Sequence, residues 1–223
     1  MGSMAPCRIY RRQIGGWTMA KKNRRRKKRE YKREVGTRLP GKTFLIVCEG
    51  TKTEPNYFRG FEVLSASVEI RGTGRNTLSL VHYAEKILAE REEEFDEVWL
   101  VFDKDSFSDM SFNNAVFFCE AHFDKGFRVA YSNEAFELWY LLHYEMITKP
   151  VSRFDYNAML SKRMKKYYKK NAPNMYGKLL TRQPMAIENA KKLYEGRSNS
   201  PAKDNPSTTV FQLVEELNKH LRD

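Results

Sequence analysis

Between residues 43 and 144 the chain alternates, four times over, between a short β-prone apolar run and a segment of helical periodicity. Residues 43–48 (TFLIVC) form the first run, ended by Glu49 and Gly50, and their unbroken apolar character is that of a strand covered on both faces. A helix is expected next, with Thr51 or Thr53 as its cap, Glu54 and Pro55 in its first turn, and Tyr57, Phe58 and Phe61 on its apolar side. Residues 68–70 give a second strand leading into Gly72-Thr73-Gly74, after which Leu78, Val81, Ala84 and Leu88 recur at helical spacing behind candidate caps Asn76 and Thr77. The third run, residues 97–102 (EVWLVF), stops at Asp103-Lys104-Asp105 and precedes a helix over about 112–124. Residues 127–131 (FRVAY) supply the fourth strand, with Ser132 and Asn133 as caps for a buried helix over 134–144 (EAFELWYLLHY). Parallel neighbours need crossover connections, so this alternation predicts an α/β fold: a parallel sheet flanked by helices on both faces, with its functional residues at the carboxyl ends of the strands.

The rest of the chain differs in character. Beyond Pro150 the composition turns to Lys, Tyr, Met and Asn, including KRMKKYYKK at 162–170, with loop signals at 171–177 and 196–206. This predicts an α/β domain over 41–149 followed by a basic, mainly helical C-terminal lobe over 150–223. Asn205 and Pro206 are expected to open its last helix, with Phe211, Val214 and Leu217 on one apolar face. Residues 1–40 form a basic N-terminal arm whose KKNRRRKKREYKR run at 21–33 repels itself and is expected to be disordered, either as a solvated tail or as an arm that grips nucleic acid. The leading MGSMAPC reads as a vector-derived scar, with Met19 a candidate natural start.

A net charge of +12 favours a polyanionic partner, nucleic acid first, because neutralising phosphates releases condensed counterions. Cys7, Cys48 and Cys119 are three in number and lack CxxC spacing, which argues against a disulfide scaffold and a thiolate metal site. No apolar stretch approaches the roughly 20 residues a membrane helix needs, and no signal peptide is legible, so a cytoplasmic protein without membrane contact is expected.

Glu49, Asp103 and Asp105 each stand just beyond an apolar strand. In a parallel sheet those strand ends share an edge, so the three carboxylates should converge. Gathered carboxylates raise one another's pKa unless a cation compensates, and hard oxygen ligands suit Mg²⁺ or Mn²⁺. The competing reading makes Asp103 and Asp105 turn formers and leaves Glu49 exposed.

Four separated strings, in order, resemble the RloB family: LIVCEGTKTEPNYF at 45–58 with GTGRN at 72–76, VFDKDSF at 101–107, SNEAFELWYLLHYE at 132–145, and NPSTTVFQLVEEL at 205–217. The resemblance implies a TOPRIM-type metal-binding domain, in which Glu49, Gly72 or Gly74, and Asp103 with Asp105 match the strand-end positions. It adds Glu54 and Glu137 as further catalytic or metal residues. Phe107 stands where a third aspartate would follow Asp105, which leaves the holding of a second metal open. It further implies a phage-defence or abortive-infection effector, paired with an ABC-type ATPase encoded nearby, and is compatible with an oligomer.

Around this core, Lys52 and Lys104 lie beside the carboxylates, where they either steady phosphate charge or act as surface lysines. Gly72, Gly74 and Arg75 form either a phosphate cradle or a plain turn. Lys165 and Lys166 sit in the KRMKKYYKK run, whose Met164, Tyr167 and Tyr168 either pack on the core or stack on unpaired bases. Glu137 lies among Phe136, Leu138 and Trp139, where a carboxylate needs a partner; Glu134 reads as a first-turn helix charge, and His143 as a reserve candidate. Together these predict a Mg²⁺- or Mn²⁺-dependent nuclease acting on nucleic acid, and the resemblance implies RNA, including tRNA, as a substrate beside DNA. The alternative is a non-catalytic module binding nucleic acid, a nucleotide or the ATPase.

Overall fold

A computed structural model describes residues 41–74, 77–91, 94–105 and 107–221. The expected arm at 1–40, together with Arg75 and Asn76, lies outside the described residues. Four strands run parallel: β1 (Lys42–Cys48), β2 (Ala66–Gly72), β3 (Glu97–Asp103) and β4 (Phe127–Asn133). Their spatial order is β2-β1-β3-β4, and a two-residue strand, β5 (Ser207–Thr208), pairs antiparallel with β4 at the edge. The helices are α1 (Thr53–Phe58), α2 (Thr77–Ala89), α3 (Asp109–Ala121), α4 (Glu137–Leu142), α5 (Tyr156–Met164), α6 (Met175–Leu179), α7 (Gln183–Glu195) and α8 (Val210–Asn218).

Strand side chains alternate between two cores, as the twofold period of a strand requires. Phe44, Ile46 and Cys48 join Trp99, Val101 and Ala130 against α1 and α4 to α8, whereas Leu45 and Val47 join Val98, Leu100 and Phe102 against α2 and α3. The expected α/β architecture is therefore present, with helices on both faces. Because β2 and β3 lie on opposite sides of β1, while α1 and α3 cover opposite faces, the sheet has its switch point between β1 and β3. A crevice opens there at the carboxyl ends of the strands.

Tyr57 fixes the angle between α1 and α4. Its buried ring meets Phe136, Trp139 and Tyr140 at centroid distances of 5.8, 6.4 and 5.7 Å, and Tyr176 of α6 at 5.7 Å. Such pairs add about 0.5–1.5 kcal/mol each beyond area burial. Nine-residue α8 is too short to persist alone, but burying Phe211, Val214 and Leu217 contributes about 1.5–3 kcal/mol per side chain and docks it.

Several expected caps are displaced. Neither Thr51 nor Thr53 caps α1: Lys52 holds that position, and Thr53 Oγ1 donates instead to Asn171 Oδ1 at 2.8 Å. Ser132 and Asn133 belong to β4, because β5 gives them partners. Ser132 Oγ meets Thr208 Oγ1 at 3.0 Å, and Asn133 Nδ2 donates to the carbonyls of Pro201 and Ala202. The helix expected from 134 begins only at Glu137. Asn205 does not cap α8 either, since residues 207–208 are taken by β5 and Thr209 becomes the N-cap residue. Among the described residues, no helix is long and apolar enough to cross a membrane.

Candidate metal centre

Glu49 stands one residue past β1, yet its amide still donates to Val101 O at 2.8 Å, so the ladder with β3 pins it. Its carboxylate reaches across the switch point, where Asp103 N, at the end of β3, donates to Glu49 Oε2 at 3.4 Å. Glu54, in the first turn of α1, is buried and turns back over the same strand end. Gly50 makes that possible: a Cβ there would stand 2.1 Å from Glu54 Oε2. Glu137, in the first turn of α4, is 4% exposed, and Tyr168 Oη donates to its Oε1 at 3.1 Å.

The electrostatics record how closely these acids are grouped. Burial, and then the charge of Glu54, push Glu49 up to about 7 against the opposing Asp103 amide. Burial also raises Glu54, reinforced by Glu137 and opposed by Lys170. Asp103 is raised well above the carboxylate range, first by burial and then by Glu54, Glu137 and Glu49. Part of Asp103 reaches solvent, but its Oδ1 is shielded, and like Glu54 Oε2 it has no hydrogen-bond partner among the described residues. Two like charges about 4 Å apart repel by about 4 kcal/mol at an effective dielectric near 20. Full ionisation of such a group is therefore opposed unless positive charge, from Lys170 or from a cation, stands beside it.

Asp105 is turned differently. It sits in the left-handed region at φ 41°, which aspartate tolerates better than most residues, with its amide donating to Glu134 O at 3.0 Å. Its carboxylate pairs with Arg153, whose backbone N–H donates to Glu134 Oε2 at 3.0 Å. Glu134 thus lies before α4 rather than in its first turn, the position that Glu137 takes. Asp103, Asp105, Glu137, Arg153, Phe154 and Lys170 share a cleft of about 220 Å³.

The remaining candidates stand farther out. Lys104 Nζ donates to Phe107 O at 2.6 Å and pairs with Asp109 at 3.2 Å, away from the carboxylates. Lys52 is exposed, as are Lys165 and Lys166 just past α5. Gly72 ends β2 where a Cβ would come within 2.8 Å of Gly50 O and Pro55 Cγ. Gly74, at φ 65°, donates its amide to Glu49 O at 2.7 Å, and Thr73 N donates to Cys48 O at 3.0 Å, so this turn braces the end of β1. His143 is a core residue: its Nδ1 lies 2.8 Å from Trp139 O, and burial lowers its pKa to about 4.

Two cleft residues escape a reading of the sequence: Lys170 sits in a run whose charge density masks which side chains turn inward, and Arg153 carries no motif at all.

A family model for RloB-like proteins matches residues 44–217. The chain belongs to the RloB-like family. The matched span runs from within β1 to the end region of α8 and contains every residue of the cleft. No curated protein and no solved structure matches the chain.

In this RloB-like chain the donors fit a hard divalent cation in their chemistry, being carboxylate oxygens, two of them buried and unpartnered. No three His, Cys, Asp or Glu side chains among the described residues are already arranged to hold an ion. Releasing Asp105 from Arg153 would add a donor at the same cleft.

Proposed function

We propose that this RloB-like chain is a metal-dependent phosphodiesterase acting on nucleic acid, the nuclease of a phage-defence system. The observation that carries this reading is the grouping of Glu49, Glu54, Asp103 and Glu137 at the switch point, with Glu54 Oε2 and Asp103 Oδ1 buried and unpartnered. Such a group has little structural value without a cation, and two of its members, Glu49 and Asp103, stand at strand-end positions that the family resemblance assigns to a TOPRIM-type domain.

Glu49, Asp103 and Asp105 are the residues that would hold Mg²⁺ or Mn²⁺. The ion, when bound, supplies Lewis-acid polarisation of a phosphate and a lowered pKa for water. Arg153 and Lys170, on the cleft wall, offer positive charge to the non-bridging oxygens. Glu54, raised by burial and by Glu137, is suited to accept a proton from the attacking water. Tyr168 holds Glu137 in register.

RNA, including tRNA, and DNA are both substrates to test, and the family resemblance adds an ABC-type ATPase as the partner that restrains or releases the activity. Purified protein is incubated with labelled tRNA and DNA in Mg²⁺, Mn²⁺ or EDTA. Cleavage that appears with metal and vanishes with EDTA supports the proposal; metal-induced thermal stabilisation without any product would instead make the chain a binding module.

A further inference from the structure

We infer that the carboxylate cleft takes an unpaired nucleic-acid strand, with bases stacking on Phe154 and Tyr167. This deepens the nuclease reading and rests on it. Phe154 and Tyr167 are 84% and 82% exposed, the two most exposed aromatic side chains among the described residues. Single exposed apolar residues are ordinary, but these two stand just outside the two ends of one helix, α5, and one of them, Phe154, lines the cleft. Phe154 lies just before α5 and lines the cleft directly; Tyr167 lies just after α5, three residues from Lys170, which lines it too. The nine residues of α5 span about 14 Å, so the rings are held apart over the reach of a few nucleotides.

The neighbours of each ring supply the rest of a single-strand platform. Lys165, Lys166, Lys169 and Lys170 flank Tyr167 in sequence and are all exposed, and Arg153 precedes Phe154 with its guanidinium 5.8 Å from the ring centroid. Alternating cations with open ring faces neutralise a backbone while stacking its bases, whatever their sequence. Tyr167 is also steadied, because Tyr168 beside it is anchored twice: its amide donates to Ser161 Oγ at 2.9 Å and its phenol to Glu137. An exposed ring next to an anchored residue loses less freedom on binding. A duplex keeps its bases stacked on one another and offers these rings nothing, so it gains only the phosphate contacts.

The test uses the full chain in EDTA, so that binding is read without cleavage. Affinities for a fluorescent single-stranded oligonucleotide and its duplex are measured by anisotropy across salt concentrations, for wild type, Phe154→Ala, Tyr167→Ala and Tyr167→Phe. Each alanine variant is expected to weaken single-strand binding by about 5- to 150-fold, from stacking worth about 1–3 kcal/mol per base. Duplex binding stays unchanged, Tyr167→Phe retains wild-type affinity, and the slope of log affinity against log salt is unaltered because no phosphate contact is lost. Equal loss on duplex and single strand, or no loss at all, would overturn the inference. Absence of cleavage with Mg²⁺ or Mn²⁺ would sink the nuclease reading while leaving this binding result to stand or fall separately.

Discussion

The phenol of Tyr168 donates to Oε1 of Glu137 at 3.1 Å, a bond that ties the basic segment after α5 to the first turn of α4 across 31 positions of sequence. Both partners are buried, so the bond is made in place of water rather than beside it. Tyr168→Phe deletes the donor while keeping the ring. A hydrogen bond to a carboxylate contributes about 1.5–3 kcal/mol, and a loss of that size in chemical denaturation is expected, with weaker cleavage alongside it. An unchanged unfolding midpoint would show that Glu137 finds another donor.

Glu137→Gln is expected to slow cleavage by about 100-fold or more, since it removes charge from the cleft while preserving shape. Glu134→Gln is expected to cost far less, because Glu134 faces the Arg153 amide, which an amide oxygen can still satisfy. Rates and melting temperatures of both variants decide the matter. Equal rates would reduce Glu137 to a structural acceptor for Tyr168.

Asp103→Asn should raise, or at least not lower, the melting temperature in EDTA, because it removes one charge from a mutually repelling set that includes Glu49, Glu54 and Glu137. The same change should abolish cleavage and the stabilisation produced by Mn²⁺. A folded Asp103→Asn protein that still cleaves would remove Asp103 from the metal centre.

Stability should depend on pH in a direction set by these acids. Glu49, raised from 4.5 to about 7, binds a proton in the folded chain that the unfolded chain has released over that window, so its stabilising protonation is lost as pH rises. Glu54 and Asp103 shift the same way. His143, lowered from 6.5 to about 4, has the opposite sign and opposes the fall up to pH 6.5. In EDTA the melting temperature is therefore expected to fall clearly above pH 6.5, and Mn²⁺, which requires deprotonated carboxylates, should flatten the decline. A melting temperature that rises from pH 6.5 to 8 in EDTA would contradict the grouping of the acids.

The parts of this molecule that are legible in sequence are those set by local pattern. Residues 44–48 and 98–102 read as buried strands because both of their faces are covered, and Glu49 and Asp103 could be placed at adjoining strand ends on that basis. Ser207 and Thr208 form a strand with no apolar pattern, stabilised by hydroxyl contacts to a segment far upstream, and so Asn205 and Pro206 read as a helix start. The pairing of Asp105 with Arg153 was equally hidden, since it depends on how the loop before α5 folds back. Tyr167 and Tyr168 share a composition and differ only in direction. One is 82% exposed and the other 2%.

The seam between β4 and the C-terminal segment, in which Ser132 meets Thr208 and Thr209 Oγ1 donates to Val129 O, joins residues 76 and 80 positions apart. Time therefore divides the two halves of the cleft. The acids of β1 and β3 leave the ribosome first, whereas Tyr168, Lys170 and the residues that close β4 follow much later, and contacts at such separations are slow to form. A chain caught midway has Glu49 and Asp103 but neither the wall that shields them nor the seam that steadies the strand leading to Glu137. If the chain cleaves nucleic acid as proposed, the same delay keeps a partly made copy from presenting an assembled cleft.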